Sequence, residues 1–216
     1  MNCWKCLMLN NSQLSNNKIR QLSITPNPKS YQEFLDALYY DLDFAIKELA
    51  KYKNICSQGI KNNPTQGENL INVIICVILT ARGWQAGHDT SINGHADIVV
   101  TLPYMSYQWI GEGKIYSGTT YTTKGLNQLA YRYSTGLEGQ NAGGLLIYID
   151  STNLNQKQIL DKWSNSLQDS CFPIIKPSSP CANNSLAFYS THTHPSSGLD
   201  YTIRHMTLDF RHSPKD

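Results

Sequence analysis

The chain has 216 residues, a formal charge of +2, 40% apolar residues and only 16% charged ones, against roughly 25% charged in an ordinary globular domain. An aromatic content of 10% excludes a disordered chain. The longest apolar run, Leu70 to Leu79 broken by Asn72, falls short of the ~20 residues a membrane-spanning helix takes, and so small a net charge excludes a global nucleic-acid footprint, so any basic groove is local.

Residues 1–30 are polar, rich in asparagine, and carry Pro26 and Pro28, which predicts a loosely ordered N-terminal arm. Met1 to Arg20 has no apolar stretch followed by a small-residue cleavage site, so a cytoplasmic protein is the expectation. Residues 31–216 then form one domain. Tyr31 to Tyr52 places Phe34, Leu35, Leu38, Tyr39, Leu42, Ala45, Ile46 and Leu49 at helical spacing, an amphipathic helix. Asn54 to Pro64 reads as a loop. Glu68 to Arg82 reads as a helix apolar all round and therefore buried, ended by Gly83. Trp84 to Asp89 is a short strand, and His95 to Leu102 a β-branched strand. A turn at Pro103 to Ser106 leads into a strand over Tyr107 to Tyr116, short enough a connection for antiparallel neighbours.

Thr120 to Thr135 is a helix with Leu126, Leu129, Ala130 and Tyr133 inward. Gly143 to Ile149 is a short apolar strand of the kind covered on both faces. Leu154 to Leu167 is a helix, Gln168 to Asn184 a loop with three prolines, and Ser185 to His192 and Tyr201 to Phe210 are late strands. This order predicts an α/β domain with a mixed central sheet flanked by helices.

Chemistry concentrates at Asp97 and at Gly111-Glu112-Gly113-Lys114. Side chains alternate along a strand, so Glu112 and Lys114 leave one face, and Asp97 on the preceding strand reaches it if the register allows. Burying three charges there costs several kcal/mol unless they are paired or hold a metal. Carboxylate oxygens with a backbone carbonyl suit a hard ion such as Mg2+ or Mn2+, and the flanking glycines leave room for it.

An aspartate followed on the next strand by Glu-x-Lys resembles the PD-(D/E)XK nuclease superfamily, the fold of many restriction and repair endonucleases. The resemblance covers about residues 65–150, including a helix before, a helix after and then an apolar strand, and so implies a restriction-endonuclease-like core. Ala96 stands where the family pattern often has proline. The resemblance implies that Asp97 and Glu112 hold the Mg2+ or Mn2+ with the Gly113 carbonyl and Glu68. Lys114 would orient the attacking water, and Gln128 would hold Lys114 or a substrate phosphate. The reaction implied is hydrolysis of phosphodiester bonds in DNA, in a bacterial anti-phage defence or restriction effector. An RNA-directed nuclease and a non-catalytic nucleic-acid- or protein-binding domain are the alternatives. Double-strand cutting by one small domain calls for a homodimer, a larger assembly or a partner subunit.

Plainer roles compete for the same residues. Thr65-x-x-Glu68 is a capping box. Lys124, Gln128 and Arg132 share a helical face, either a wet surface or a phosphate-contacting strip. His95, two residues before Asp97, shares its face as a supporting group or nucleic-acid contact. His192 and His194, followed by Asp200, Tyr201, Arg204 and His205, read as an edge strand facing water, or as the lining of a substrate groove. Of the six cysteines, Cys3 and Cys6 alone have the spacing of a zinc-ligand pair, and structural zinc takes two such pairs, so free thiols are expected. No Gly-x-Ser-x-Gly elbow, phosphate-cradling loop or dinucleotide fingerprint is present.

Overall fold

The computed structural model describes residues 25–91, 94–103, 105–169, 172 and 174–212. The Cys3/Cys6 pair and most of the N-terminal arm lie outside them.

Among the described residues three helices come first: α1 (Tyr31–Leu49), α2 (Lys53–Asn62) and α3 (Pro64–Ala81). There follow β1 (Gln85–Gly87), β2 (Thr90–Ser91), β3 (His95–Ala96), β4 (Ile98–Thr101) and β5 (Gln108–Ile115). Helix α4 (Thr119–Gln128) continues into a π-helical turn over Leu129–Tyr133. Then come β6 (Ala142–Ile149), α5 (Gln156–Ser166), β7 (Ile174–Cys181), β8 (Asn184–Thr193) and β9 (Asp200–Asp209).

Seven strands form one mixed sheet in the order β1-β4-β5-β6-β9-β8-β7, and β2 pairs with β3 in a separate ribbon. Neighbours are antiparallel except β5 with β6 and β6 with β9, which run parallel. Each face of the sheet buries an apolar layer. Phe34, Leu38, Leu42, Ile71, Ile75 and Leu79 of α1 and α3 pack on Ile98, Trp109, Leu146 and Met206. Leu126, Leu129, Ile159 and Trp163 pack on Val99, Ile110, Leu145 and Ile203 from the other side. Strand β6 lies in the middle and is buried at every residue, as its unbroken apolar run predicts. No described helix is long and apolar enough to cross a membrane.

Six sequence expectations need correction. Residues 54–64 are not a loop: α2 buries Cys56 and Ile60, one helical turn apart, and α3 crosses it so closely that a Cβ on Gly67 would lie 2.5 Å from the Ile60 backbone. Helix α3 starts earlier than predicted, capped by the Asn63 side chain with Pro64 in its first turn, so Thr65 is not the cap. Nor is α3 buried all round, because Leu70, Val73 and Val77 are exposed. Residues 168–184 include an outer strand, β7, whose register against β8 shifts three times. Its two prolines sit where missing ladder donors are tolerated. The strand expected over His95 to Leu102 breaks at Asp97 into β3 and β4.

The sixth correction concerns the late histidines. His192, His194, Arg204 and His205 do not face water but are at most 1% exposed, because β7 covers β8 and α5 covers β9. Trp163 Nε1 donates to His205 Nδ1 at 2.9 Å. The Ser190 hydroxyl lies 2.7 Å from both His205 Nε2 and His192 Nε2, and His192 Nδ1 is 2.9 Å from the Phe172 carbonyl. An indole can only donate and a carbonyl can only accept. Protons therefore run one way, from Trp163 through His205, Ser190 and His192 to Phe172, with both rings neutral. His192 and His205 are thus satisfied structural members rather than the lining of a groove.

Candidate active site

The site arises because β4 is shorter than β5. Residues Ile98–Thr101 pair with Gly111–Gln108, which leaves residues 112–115 of β5 without a strand on that edge. Their outward amides are taken by carboxylates instead. Gly113 N donates to Asp97 Oδ2 at 2.9 Å, and Ile115 N donates to Glu68 Oε2 at 3.0 Å. Asp97 does this from the bend that ends β3. Glu68 does it from the first turns of α3.

Glu112 and Lys114 leave the α4 side of β5. Lys114 Nζ lies 2.7 Å from Glu112 Oε1 and 3.3 Å from Glu68 Oε1. Helix α4 approaches closely here, and a Cβ on Gly125 would stand 2.6 Å from Lys114 Cγ and 3.4 Å from Glu112 Cγ. Glu112 is only 1% exposed, yet its second oxygen, Oε2, has no hydrogen-bond partner among the described residues. Burial, and next the Asp97 carboxylate, push Glu112 up to about 8, against partial relief from Lys114. Glu68 and Asp97 are likewise raised by burial despite Lys114. Lys114 is held above the usual lysine range, because Glu112 and Glu68 together outweigh its own burial. Three carboxylates thus share one ammonium, and the deficit of positive charge falls on Glu112.

On the opposite side of β5, Asn72 of α3 reaches under Gly113. Tyr148 Oη donates to Asn72 Oδ1 at 2.5 Å. A Cβ on Gly113 would come within 2.6 Å of Asn72 Oδ1 and 2.7 Å of Tyr148 Oη, so this position takes glycine for want of space. Asn72 is fully buried, and its Nδ2 has no hydrogen-bond partner among the described residues. His88 is a further neighbour: its Nδ1 lies 2.7 Å from the Asp97 carbonyl. The sequence reading missed both. The one available signal was a lone asparagine inside the apolar run of α3.

The remaining predicted residues fall elsewhere. His95 sits on the β2–β3 ribbon, 72% exposed at the side chain and 2.8 Å from Asp89 Oδ1, because the break at Asp97 ends the face-sharing expected of one strand. Gln128 donates to Tyr133 Oη at 3.4 Å rather than holding Lys114. Lys124, Gln128 and Arg132 do share one shallow surface depression, with Asn127 and Tyr131, and Lys124 Nζ lies 5.6 Å over the Tyr121 ring.

Among the described residues no group of three or more His, Cys, Asp or Glu is placed to enclose a metal ion. The donor set still fits a hard divalent cation of the kind that keeps most of its waters, since Mg2+ is commonly held by one or two carboxylates plus substrate oxygens rather than by a protein cage. The buried, partnerless Glu112 Oε2 is the observation that favours such an ion. No protein-family model matches the chain, and neither a curated protein nor a solved structure matches it.

Proposed function

We propose that the chain is a metal-dependent phosphodiesterase with a PD-(D/E)XK-type site. The particular activity we assign is endonucleolytic hydrolysis of DNA. The observation that carries this reading is the cluster of Asp97 with the buried Glu112 and Lys114, in which Glu112 Oε2 is unsatisfied. The order of elements supports it as well: α3, then the antiparallel strands β1, β4 and β5, then α4, then β6 parallel to β5. The resemblance expects that order: a helix before the strands, a helix directly after, then an apolar strand.

Asp97, Glu112 and the Gly113 carbonyl would hold Mg2+ or Mn2+, with Glu68 close enough to join through a water. When bound, such an ion lowers the pKa of its water and offsets charge on the phosphoryl oxygens. Lys114 supplies the fixed positive charge beside the attacking water and favours its hydroxide form. Glu112 Oε1 and Glu68 Oε1 hold the ammonium in place. The Gly113 amide donates to Asp97 and works against the rise that burial imposes on it. Lys124 and Arg132 would receive flanking phosphates from the depression on α4. The phosphodiester that the site would attack is common to DNA and RNA, so RNA is the second arm of any substrate test. Cutting both strands with one small domain takes two copies, so a homodimer belongs to the proposal.

Each carboxylate also has a structural partner, which favours a second reading, a non-catalytic binding domain. Purified Asp97→Asn and Lys114→Gln variants decide between the two. The enzyme reading expects circular dichroism like that of the parent and cleavage reduced by at least about 100-fold. Undiminished cleavage in both variants would remove the assignment.

A further inference from the structure

A second cleft lies on the other side of the sheet, between α1 and the β7–β8 hairpin. It encloses about 470 Å³ and is lined by Tyr40, Asp43, Lys47, Cys181, Tyr189 and Arg204, among others. Its chemistry does not depend on the nuclease assignment.

Cys181 differs from the other described cysteines in what surrounds its sulfur. Sγ is 3.6 Å from Tyr189 Oη and 3.5 Å from Arg204 Nη2. Burial alone raises a thiol's pKa, but here the Tyr189 hydroxyl and the Arg204 guanidinium outweigh it and the net direction is downward. Tyr189 is itself pushed up by burial and by the sulfur, so its hydroxyl stays protonated and donates. Cys56 and Cys76 have no such donors; burial pushes both up, Cys76 to about 12.

Arg204 provides an independent observation. It is fully buried and lines the cleft. Nη2 forks onto both oxygens of Asp43 at 2.9 and 2.8 Å, and Nη1 reaches the Tyr39 carbonyl at 3.4 Å. Its Nε has no hydrogen-bond partner among the described residues. A buried guanidinium with a donor unspent, beside a thiol, is the setting that stabilises a thiolate and any anionic oxygen attached to it.

We propose that Cys181 is a redox-reactive thiol and that this cleft is where it meets a hydroperoxide. The thiolate sulfur attacks the distal peroxide oxygen, so an S–O bond forms as the O–O bond breaks. The departing alkoxide, or hydroxide when the oxidant is hydrogen peroxide, takes a proton from solvent and leaves as an alcohol or as water. Sulfur is oxidised by two electrons to the sulfenic acid, and the peroxide is reduced by two. Tyr189 and Arg204 act as positioning residues, each within 3.6 Å of the sulfur, where they favour its anionic form.

Peptide-resolved mass spectrometry on the folded full chain tests this. Alkylation by iodoacetamide is followed from pH 5.5 to 9, and hydrogen peroxide with dimedone traps any sulfenic acid. Cys56 and Cys76 serve as internal references. The pH midpoint for Cys181 alkylation should lie below that of the same peptide in the urea-unfolded chain. Sulfenic acid at Cys181 should exceed that at Cys56 and Cys76 by at least about tenfold at pH 7. Tyr189→Phe should raise the midpoint and slow trapping about threefold. A native midpoint at or above the unfolded one, or trapping no greater than at the two reference cysteines, would overturn the proposal. Either result is read on the parent protein, whatever the variant does.

Discussion

Replacing Glu112 by glutamine separates the electrostatic cost of the site from its use. The carboxyl is 1% exposed and is pushed from 4.5 to about 8 by burial and by Asp97. Below pH 4.5 the group is neutral in both folded and unfolded chains and costs nothing. Above that the unfolded chain ionises first, so stability is lost as pH rises until the folded group ionises as well, near pH 8. Each tenfold of displaced proton affinity is worth about 1.4 kcal/mol. Between pH 5 and 7.5 the parent therefore gives up about 3 kcal/mol through this residue, which in a domain of this size is roughly 6–12 °C of melting temperature. Urea unfolding at both pH values, in chelator, should show that loss in the parent and not in Glu112→Gln. Magnesium should restore stability to the parent at pH 7.5, because a ligand that binds only the folded state stabilises it, and should leave the variant unchanged. Parallel pH profiles for the two proteins, with or without magnesium, would refute the reasoning.

Gly113→Ala should cost about 1–3 kcal/mol by forcing a methyl against Asn72 and Tyr148, read as a lower urea midpoint, with cleavage lost as Asp97 is displaced. Glu68→Gln keeps an oxygen for the Ile115 amide and should unfold within about 1 kcal/mol of the parent, whereas Glu68→Ala strands that amide and should cost about 1–3 kcal/mol; denaturation curves of the pair separate the two. His205 is held well below the usual histidine range by burial and then by His192. Its contribution is therefore complete above about pH 6.5 and lost on acidification, up to about 1.4 kcal/mol per pH unit below that value. This is the opposite sign to Glu112, and His205→Phe should remove the acid-side loss from a pH series of unfolding curves.

Elements with strong periodicity were legible from the sequence: α1, β6 and the pair of strands around the turn at residues 103–106. Glu112 and Lys114 were placed on one face by alternation alone. Elements whose order depends on partners were not. Helix α2 has few apolar residues and forms against α3, while β7 carries prolines that argue against a strand until it is seen at the sheet's edge. The buried histidines read as surface because alternation identifies a face and cannot say that another strand will cover it. His95 was misplaced because the bend at Asp97 has no sequence mark of its own. Asn72, Tyr148 and His88 surround Asp97 from sites 25 residues before it, 51 after it and nine before it (all by position), and only the folded sheet brings them together.

The most direct test is to incubate the protein with supercoiled plasmid, linear duplex, single-stranded DNA and RNA, each with magnesium, manganese or chelator, and to read products by gel. The proposed function predicts cleavage of DNA in either metal, none in chelator, and none with Lys114→Gln. Intact substrates in every lane, or cutting that survives both chelator and the Lys114 substitution, would contradict it.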